Sequence, residues 1–600
     1  MNQARSRGPF RTAVSLLLVL GSAALLGSPS TAAPPEAPPR PLSQLFDNRG
    51  IGTGARGGGA DLDGHGRALS AEALRDAGWS PGAGLTVVGA PLRLPASPPG
   101  SPDNVRADGQ RVSVTGRGDA LAFLVTATGG RAPGRGTVEY ADGRRSSYQL
   151  EAPDWRTGTL ATSAVVLPRV STPEGPMKAR ARLYVVTVPL SYDAPVRAVT
   201  LPRDPVGPAS LHVFALGVRP RASGWTGSWS AATAARMRVG PWQDPTLRLV
   251  VRPSVGGERV RLRFDNTFAA SPVRLGRVSV AVREKGATAR GKPVPLRFGG
   301  HRGVTLAAGA QVRSDPLPFR VEAGTDLLVS VSLPGRVASL PVRTAAKQPG
   351  YVADAAGDRT GSRGGAGFAE ALDYWPLLTG LDVAGGPGSV VALGDSTTTG
   401  AKTRTGADER WTDVLAARLR SQDAVPRYGV LNQALTANRL LADRYPGAGE
   451  DEDTSGVRLA HRLDRDLFAQ TSARTALVYL GLNDVRWGSS AAEVRTALAE
   501  VARRARARGV RVLAATLTPC GGGSRCTPAV EERRQAVNAW LRAGGGGFDA
   551  VVDFDHVVRD PERPGRLLPA YDSGDHLHPS AEALARMAGA AVDLGALRPR

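Results

Sequence analysis

Apolar and polar positions change their rhythm once along this 600-residue chain, near residue 388. Upstream, residues 44–220 carry short alternating or β-branched runs broken by Gly, Pro, Asp and Asn. Examples are LTVVGAPLRL (85–94), DALAFLVTAT (119–128), GTVEYADGRRSSYQL (136–150) and ARLYVVTVPL (181–190). Residues 222–345 repeat the texture in TLRLVVRPSV, ERVRLRFDN, RVSVAVRE, GVTLAAGA and DLLVSVSLPG. Period-two runs at this spacing, with turn signals such as Asp142-Gly143, predict antiparallel strands. They fit two all-β sandwich domains, over 44–220 and 222–345. No fixed-period repeat is visible, which argues against a solenoid.

Residues 346–387 read as a connecting segment, and after them strand-like and helix-like segments alternate. The apolar runs SVVAL (389–393), YGVLN (428–432), TALVYLG (475–481), VRVLAATL (510–517) and AVVDF (550–554) predict strands. Ser490-x-x-Glu493 opens one helix as a capping box and sets Val494, Leu498, Val501 and Ala505 on one face, before Gly509 closes it. Thr527-Pro528 opens another. Five strands alternating with helices predict a doubly wound parallel sheet over 388–600, which binds ligands at the carboxyl ends of its strands.

Composition adds an address. Arg5, Arg7 and Arg11 precede an apolar run, Ala13 to Gly27, and Ser30-Thr31-Ala32. That is a signal peptide over 1–32, followed by a Pro-rich linker over 33–43. The expectation is a secreted protein with no membrane span after cleavage; an uncleaved anchor is the alternative. Export gives weight to the two cysteines, Cys520 and Cys526, whose Gly-rich TPCGGGSRCTP context suits a small disulfide loop. No second Cys or His pair sits nearby at metal-ligand spacing.

The net charge of +22 is unevenly spread: from Gly388 onward 29 Lys/Arg meet 26 Asp/Glu, a net of +3. Only five of the basic residues are Lys, a skew that points to codon usage more than to a phosphate groove. Nucleic acid is not expected as a partner. An anionic surface glycan suits the basic upstream part, and the run Arg503 to Arg508 reads as a solvated helix end.

Four strand-end segments carry polar groups: Gly394-Asp395-Ser396, Asn432 to Asn438, Gly481-Leu482-Asn483-Asp484, and Asp572 to Pro579. A serine hydroxyl needs a base to become a nucleophile, and a histidine base needs an acid to orient it. Asp575 and His578, three apart in one loop, supply both, with His576 as an alternative base. The Asn483 amide, the Ser396 N–H and one N–H of the second loop are candidate oxyanion donors.

GDSTTTG, the ANR of ALTANRLL, GLND and DHLHP together resemble the conserved blocks of the SGNH (GDSL) hydrolase superfamily, over about residues 388–595. The resemblance implies a flavodoxin-like fold and ester hydrolysis with Ser396 as nucleophile, His578 as base and Asp575 as its partner. It also implies an oxyanion hole from Ser396, Ala437 and Asn483, with no metal or organic cofactor. Two positions depart from the family pattern. Ala437 stands where the family has Gly, which a positive φ would strain, and Thr397 replaces an aliphatic residue.

Residues 227–335 resemble the β-domain of secreted actinobacterial members, and 46–110 a sandwich module of secreted carbohydrate-active enzymes. Asp61-x-Asp63-x-His65-Gly66 with Glu72 matches a calcium loop only superficially and reads as a turn. The sum is a secreted esterase acting on short acyl groups, such as acetyl on a polysaccharide, since no long apolar lid is visible. A lipase or lysophospholipase of the same fold is one alternative. A glycan-binding protein with a vestigial hydrolase domain is another.

Overall fold

The structure, a computed structural model, describes residues 37–599 apart from 55–56, 99, 161–162, 204–207, 448 and 452. The leader read over 1–32, and residues 33–36 of the linker, lie outside the described residues.

A large strand-rich region precedes the α/β domain. In its first part a five-stranded sheet runs in the order 163–167, 181–189, 120–128, 210–219, 105–106, and a four-stranded one in the order 111–116, 196–200, 132–140, 145–152. Phe123, Val125 and Val213 of the former and Val138, Tyr140 and Val199 of the latter share one buried cluster. The strand Ala120–Thr128 is buried at all nine positions, as a run of apolar residues on both faces requires.

In the second part, strands 288–295, 278–285, 327–332, 246–251, 350–352 and 370–372 form a six-stranded sheet, and strands 225–230, 378–384 and 257–265 belong to another. Leu249, Val280 and Val329 from the first meet Leu262, Phe264 and Leu381 from the second.

Two features differ from the sequence reading. The hairpin Gly84–Val87 and Ala90–Arg93 joins the second part through Thr86 opposite Gln311, while Val87, Ala90 and Leu92 share a buried cluster with Ala122, Leu124 and Phe214 of the first. The neighbouring Trp79 indole donates to the Ala308 carbonyl at 2.8 Å. The segment 346–387, expected only to connect, supplies the strands Gly350–Val352, Glu370–Leu372, Trp375–Pro376 and Leu378–Ala384. A period-two pattern fixes which face of a strand is buried, but not which strand it pairs with.

The C-terminal domain has the expected parallel sheet. Its strands are β1 (Ser389–Gly394), β2 (Gly429–Asn432), β3 (Ala473–Tyr479), β4 (Arg511–Ala515) and β5 (Ala550–Val552), in the order β2-β1-β3-β4-β5. All pairs are parallel. Helices α1 (Trp411–Arg420), α2 (Ala491–Arg506) and α3 (Pro528–Arg542) accompany it. Ser490 and Glu493 cap α2 reciprocally, and the Thr527 hydroxyl caps α3.

The amino ends of the strands rest on the upstream β-region. Ser389 Oγ donates to the Gly227 carbonyl at 2.9 Å, Gly227 N–H to Thr471 at 3.3 Å, and Val430 N–H to Ser254 Oγ at 2.8 Å. A Cβ on Gly429 would stand 2.0 Å from the Gly227 carbonyl oxygen, so only glycine allows this approach. The carboxyl ends, on the opposite edge, carry the candidate site. Among the described residues no helix is long and apolar enough to cross a membrane.

Candidate active site

The fully buried strand β1 runs into Gly394, where the chain turns sharply into the short helix Ser396–Thr399. A Cβ on Gly394 would lie 2.2 Å from Thr398 Oγ1, so the turn demands glycine. Asp395 caps the helix by accepting the Thr397 N–H at 3.1 Å. Ser396 is thereby held at the first helical position, at the carboxyl edge of the sheet.

The loop before the last helix brings the base. His578 Nε2 lies 2.9 Å from Ser396 Oγ, and His578 Nδ1 lies 2.7 Å from Asp575 Oδ2. Asp575 Oδ1 accepts the N–H groups of His578 at 2.8 Å and Leu577 at 3.1 Å. Partial burial alone would raise its proton affinity. The hydrogen bonds from the His578 ring and from these N–H groups outweigh that, and hold the carboxyl well below the usual range. Lys402 Nζ adds a positive charge at 3.5 Å. Of the two histidines read from the sequence, only His578 reaches Ser396. His576, in left-handed backbone with φ 58°, turns to Asp572 at 2.5 Å.

Asn483 follows β3, in the short helix Leu482–Arg486. Its amide nitrogen donates to Asp395 Oδ2 and to the Asn438 carbonyl, both at 3.3 Å. Ala437 has φ 55°, the strained conformation that its departure from glycine raised. Neither its N–H nor that of Ser396 has a hydrogen-bond partner among the described residues. Thr399 Oγ1 and Thr436 Oγ1 meet at 3.2 Å, which ties the nucleophile turn to this second loop.

Burial pushes the Asp395 carboxyl up to about 7, against the Thr397 N–H and the more distant Arg486 charge. Burial likewise raises Asp484 to about 6, although it accepts the Leu440 and Leu441 N–H groups at 3.0 Å each.

Sequence reasoning missed what holds these parts. Asn438 is buried and donates to the Ser455 and Val457 carbonyls at 2.8 Å, while its Oδ1 accepts from Arg462. Arg462 pairs in turn with Asp466 at 3.0 Å. Arg486 Nη1 donates to Asn483 Oδ1 at 3.0 Å, and its other nitrogens to the Ser524 carbonyl at 2.7 and 3.2 Å. Ser524 lies between Cys520 and Cys526, which are disulfide-bonded with Cα atoms 5.7 Å apart.

Residues 392–586, about a third of the chain, match the GDSL-like Lipase/Acylhydrolase family. The C-terminal region is a GDSL-like domain of the SGNH superfamily. It makes the chain a serine ester hydrolase by family. Solved structures similar to part of the chain include a GDSL-like lipase from Bacteroides thetaiotaomicron (15% identical, covering 34% of this chain and 84% of that one, TM-score 0.24). TesA is 24% identical over 34% of this chain and 94% of its own, with a TM-score of 0.25. The acetyl xylan esterase AlAXEase is 15% identical over 34% and 96%, with a TM-score of 0.24. No curated protein matches the chain.

Outside the GDSL-like domain, the loop that imitates a calcium site uses its carboxylates internally. Asp61 accepts the Gly66 N–H at 3.0 Å, and Asp63 pairs with Arg67 at 2.7 Å.

Proposed function

We propose that the protein is an exported serine esterase in which Ser396, His578 and Asp575 act as a catalytic triad. His578 Nε2 takes the Ser396 hydroxyl proton as Oγ attacks the ester carbonyl. The N–H groups of Ser396 and Ala437 and the Asn483 amide receive the developing oxyanion. The alcohol leaves with the proton from His578, and water, activated by the same imidazole, releases the acyl group. The observation that carries this reading is the hydrogen-bonded series Asp575–His578–Ser396, 2.7 and 2.9 Å long, at the carboxyl edge of the sheet.

The acyl group is short, and acetyl esters of polysaccharides are the favoured class. The Ala437 methyl, placed beside a proposed oxyanion donor, supports that size. Ser396→Ala lowers kcat for 4-nitrophenyl acetate by about 10⁴-fold or more, and Asn483→Ala by about 10²-fold. In a chain-length series from acetate to octanoate, the native protein prefers the shortest esters, and Ala437→Gly relaxes that preference. Undiminished hydrolysis by Ser396→Ala would sink the mechanism, and a native preference for long chains would sink the short-acyl assignment.

A further inference from the structure

Trp487 is 37% exposed and lies four residues beyond Asn483. Four guanidinium groups surround its ring: Arg439 at 4.6 Å from the centroid, Arg486 at 5.0 Å, Arg525 at 5.2 Å and Arg444 at 5.8 Å. They come from three of the loops that build the site. Arg439 is two residues past Ala437, Arg486 holds the Asn483 amide, and Arg525 lies in the disulfide loop beside Ser524. Among the described residues only Arg444 has a carboxylate partner, Asp453 at 2.8 Å. Arg439 also buries an Nε with no hydrogen-bond partner among the described residues.

Attraction to the indole face offsets part of the mutual repulsion of these cations. It does not supply the oxygen acceptors that guanidinium forks require. Burial, and after it the charges of Arg444 and Arg525, lower the proton affinity of Arg439, while Asp484 and Asp453 act against them. A surface with such a field draws anions toward the loops where the reacting ester would sit.

We infer that Trp487 and its arginines form an oxyanion-binding subsite, so that the preferred esters carry a carboxylate or phosphate on the alcohol part. This rests on the esterase reading above and narrows its substrate class. Trp487 gathers the guanidiniums on one platform; Arg439 and Arg525 are the specificity residues, neither having a carboxylate at ion-pair distance among the described residues.

Three soluble acetates test it with the full exported chain: neutral 4-nitrophenyl acetate, 3-carboxy-4-nitrophenyl acetate and 4-acetoxyphenyl phosphate. Each kcat/KM is divided by that ester's own hydroxide-catalysed rate. The native protein favours at least one anionic ester over the neutral one by about tenfold, and the preference shrinks as salt rises. Whether the carboxylate or the phosphate gains more identifies the source of the anion.

Arg525→Ala and Arg439→Gln each lower the anionic-to-neutral ratio several-fold, whereas Arg503→Ala, at the far end of α2, leaves it unchanged. Equal normalised rates for all three esters, or a ratio indifferent to both variants, would overturn the inference while leaving the esterase intact. A native protein that cleaves none of them would instead overturn the esterase reading.

Discussion

Asp395 is the residue in which folding and chemistry compete most directly. It caps the nucleophile turn and accepts the Asn483 amide, yet its surroundings lift its proton affinity to about 7. Its folded value lies above its unfolded one of about 3.8. The protonated carboxyl therefore contributes stability in full below about pH 4, and that contribution is lost as pH rises through 7. The unfolding free energy from urea titrations should fall between pH 4 and pH 7 by an amount on the order of a few kcal/mol, after allowance for other groups. Asp395→Asn should flatten that part of the profile, and an unchanged slope would show that Asp395 does not titrate there. The sequence carried the position of Asp395 but not this property, because burial depends on Asn483 and Tyr479 closing over it from another strand end. Ser396, Asn483, Asp575 and His578 were legible because parallel α/β sheets collect strand-end residues on one edge. Arg462 and Arg486 were not: among 76 Lys and Arg an individual arginine carries no signal, and Asn438 and Ser524, the partners that tie them to other loops, lie 24 and 38 positions away.

At the scale of elements, the disulfide loop does more than close on itself. A Cβ on Gly522 would stand 3.3 Å from the His576 ring, and one on Gly523 would stand 3.0 Å from the His576 carbonyl. The loop thus lies against the base loop on one side, and through Ser524 and Arg486 it steadies Asn483 on the other. The Cys pair was legible as a staple; this double contact was not, since nothing local in TPCGGGSRCTP specifies it. Closing so short a loop, with the cysteines six positions apart, is worth about 2 kcal/mol through the unfolded state. The double variant Cys520→Ala/Cys526→Ala should lose about that much in urea unfolding. It should also lower kcat several-fold with KM for a neutral ester little changed, because Asn483 would act in the transition state. Full kcat with reduced stability would confine the loop to a structural role. Helix α2 was read correctly only in part. Of its basic end, expected to be solvated, Arg503 and Arg506 are exposed, yet Arg508 just beyond the helix is nearly buried and donates to the Thr187 carbonyl at 3.2 Å and to Asp464 at 3.2 Å.

That contact between Arg508 and Thr187 belongs to a pattern that spans the whole molecule, in which arginines join the β-region to the GDSL-like domain. Arg263 is buried and donates to Gln470 Oε1 at 2.8 Å and to the Thr379 carbonyl at 2.9 Å. Asp382 accepts from Thr471 Oγ1 and pairs with Arg261, both at 2.9 Å. Some of the upstream positive charge is therefore interior, with Arg248 and Arg343 among the largest buried side chains, and only the remainder is available to an anionic partner. Buried polar groups of this kind are costly when a partner is removed. Cutting the chain at residue 388 would expose Ser389, Val430 and Leu431 and strip Gln470 and Thr471 of their upstream partners Arg263 and Asp382, along the amino edge of β1, β2 and β3. Residues 388–600 alone should accordingly be recovered aggregated or unfold well below the longer chain. Residues 39–600 should melt well above residues 388–600 and keep ester hydrolysis, since the β-region would act as the foundation of the sheet. Circular dichroism melts of the two, run beside 4-nitrophenyl acetate assays, decide the matter. A soluble, fully active 388–600 would make the β-region a tethered module rather than part of the enzyme's fold.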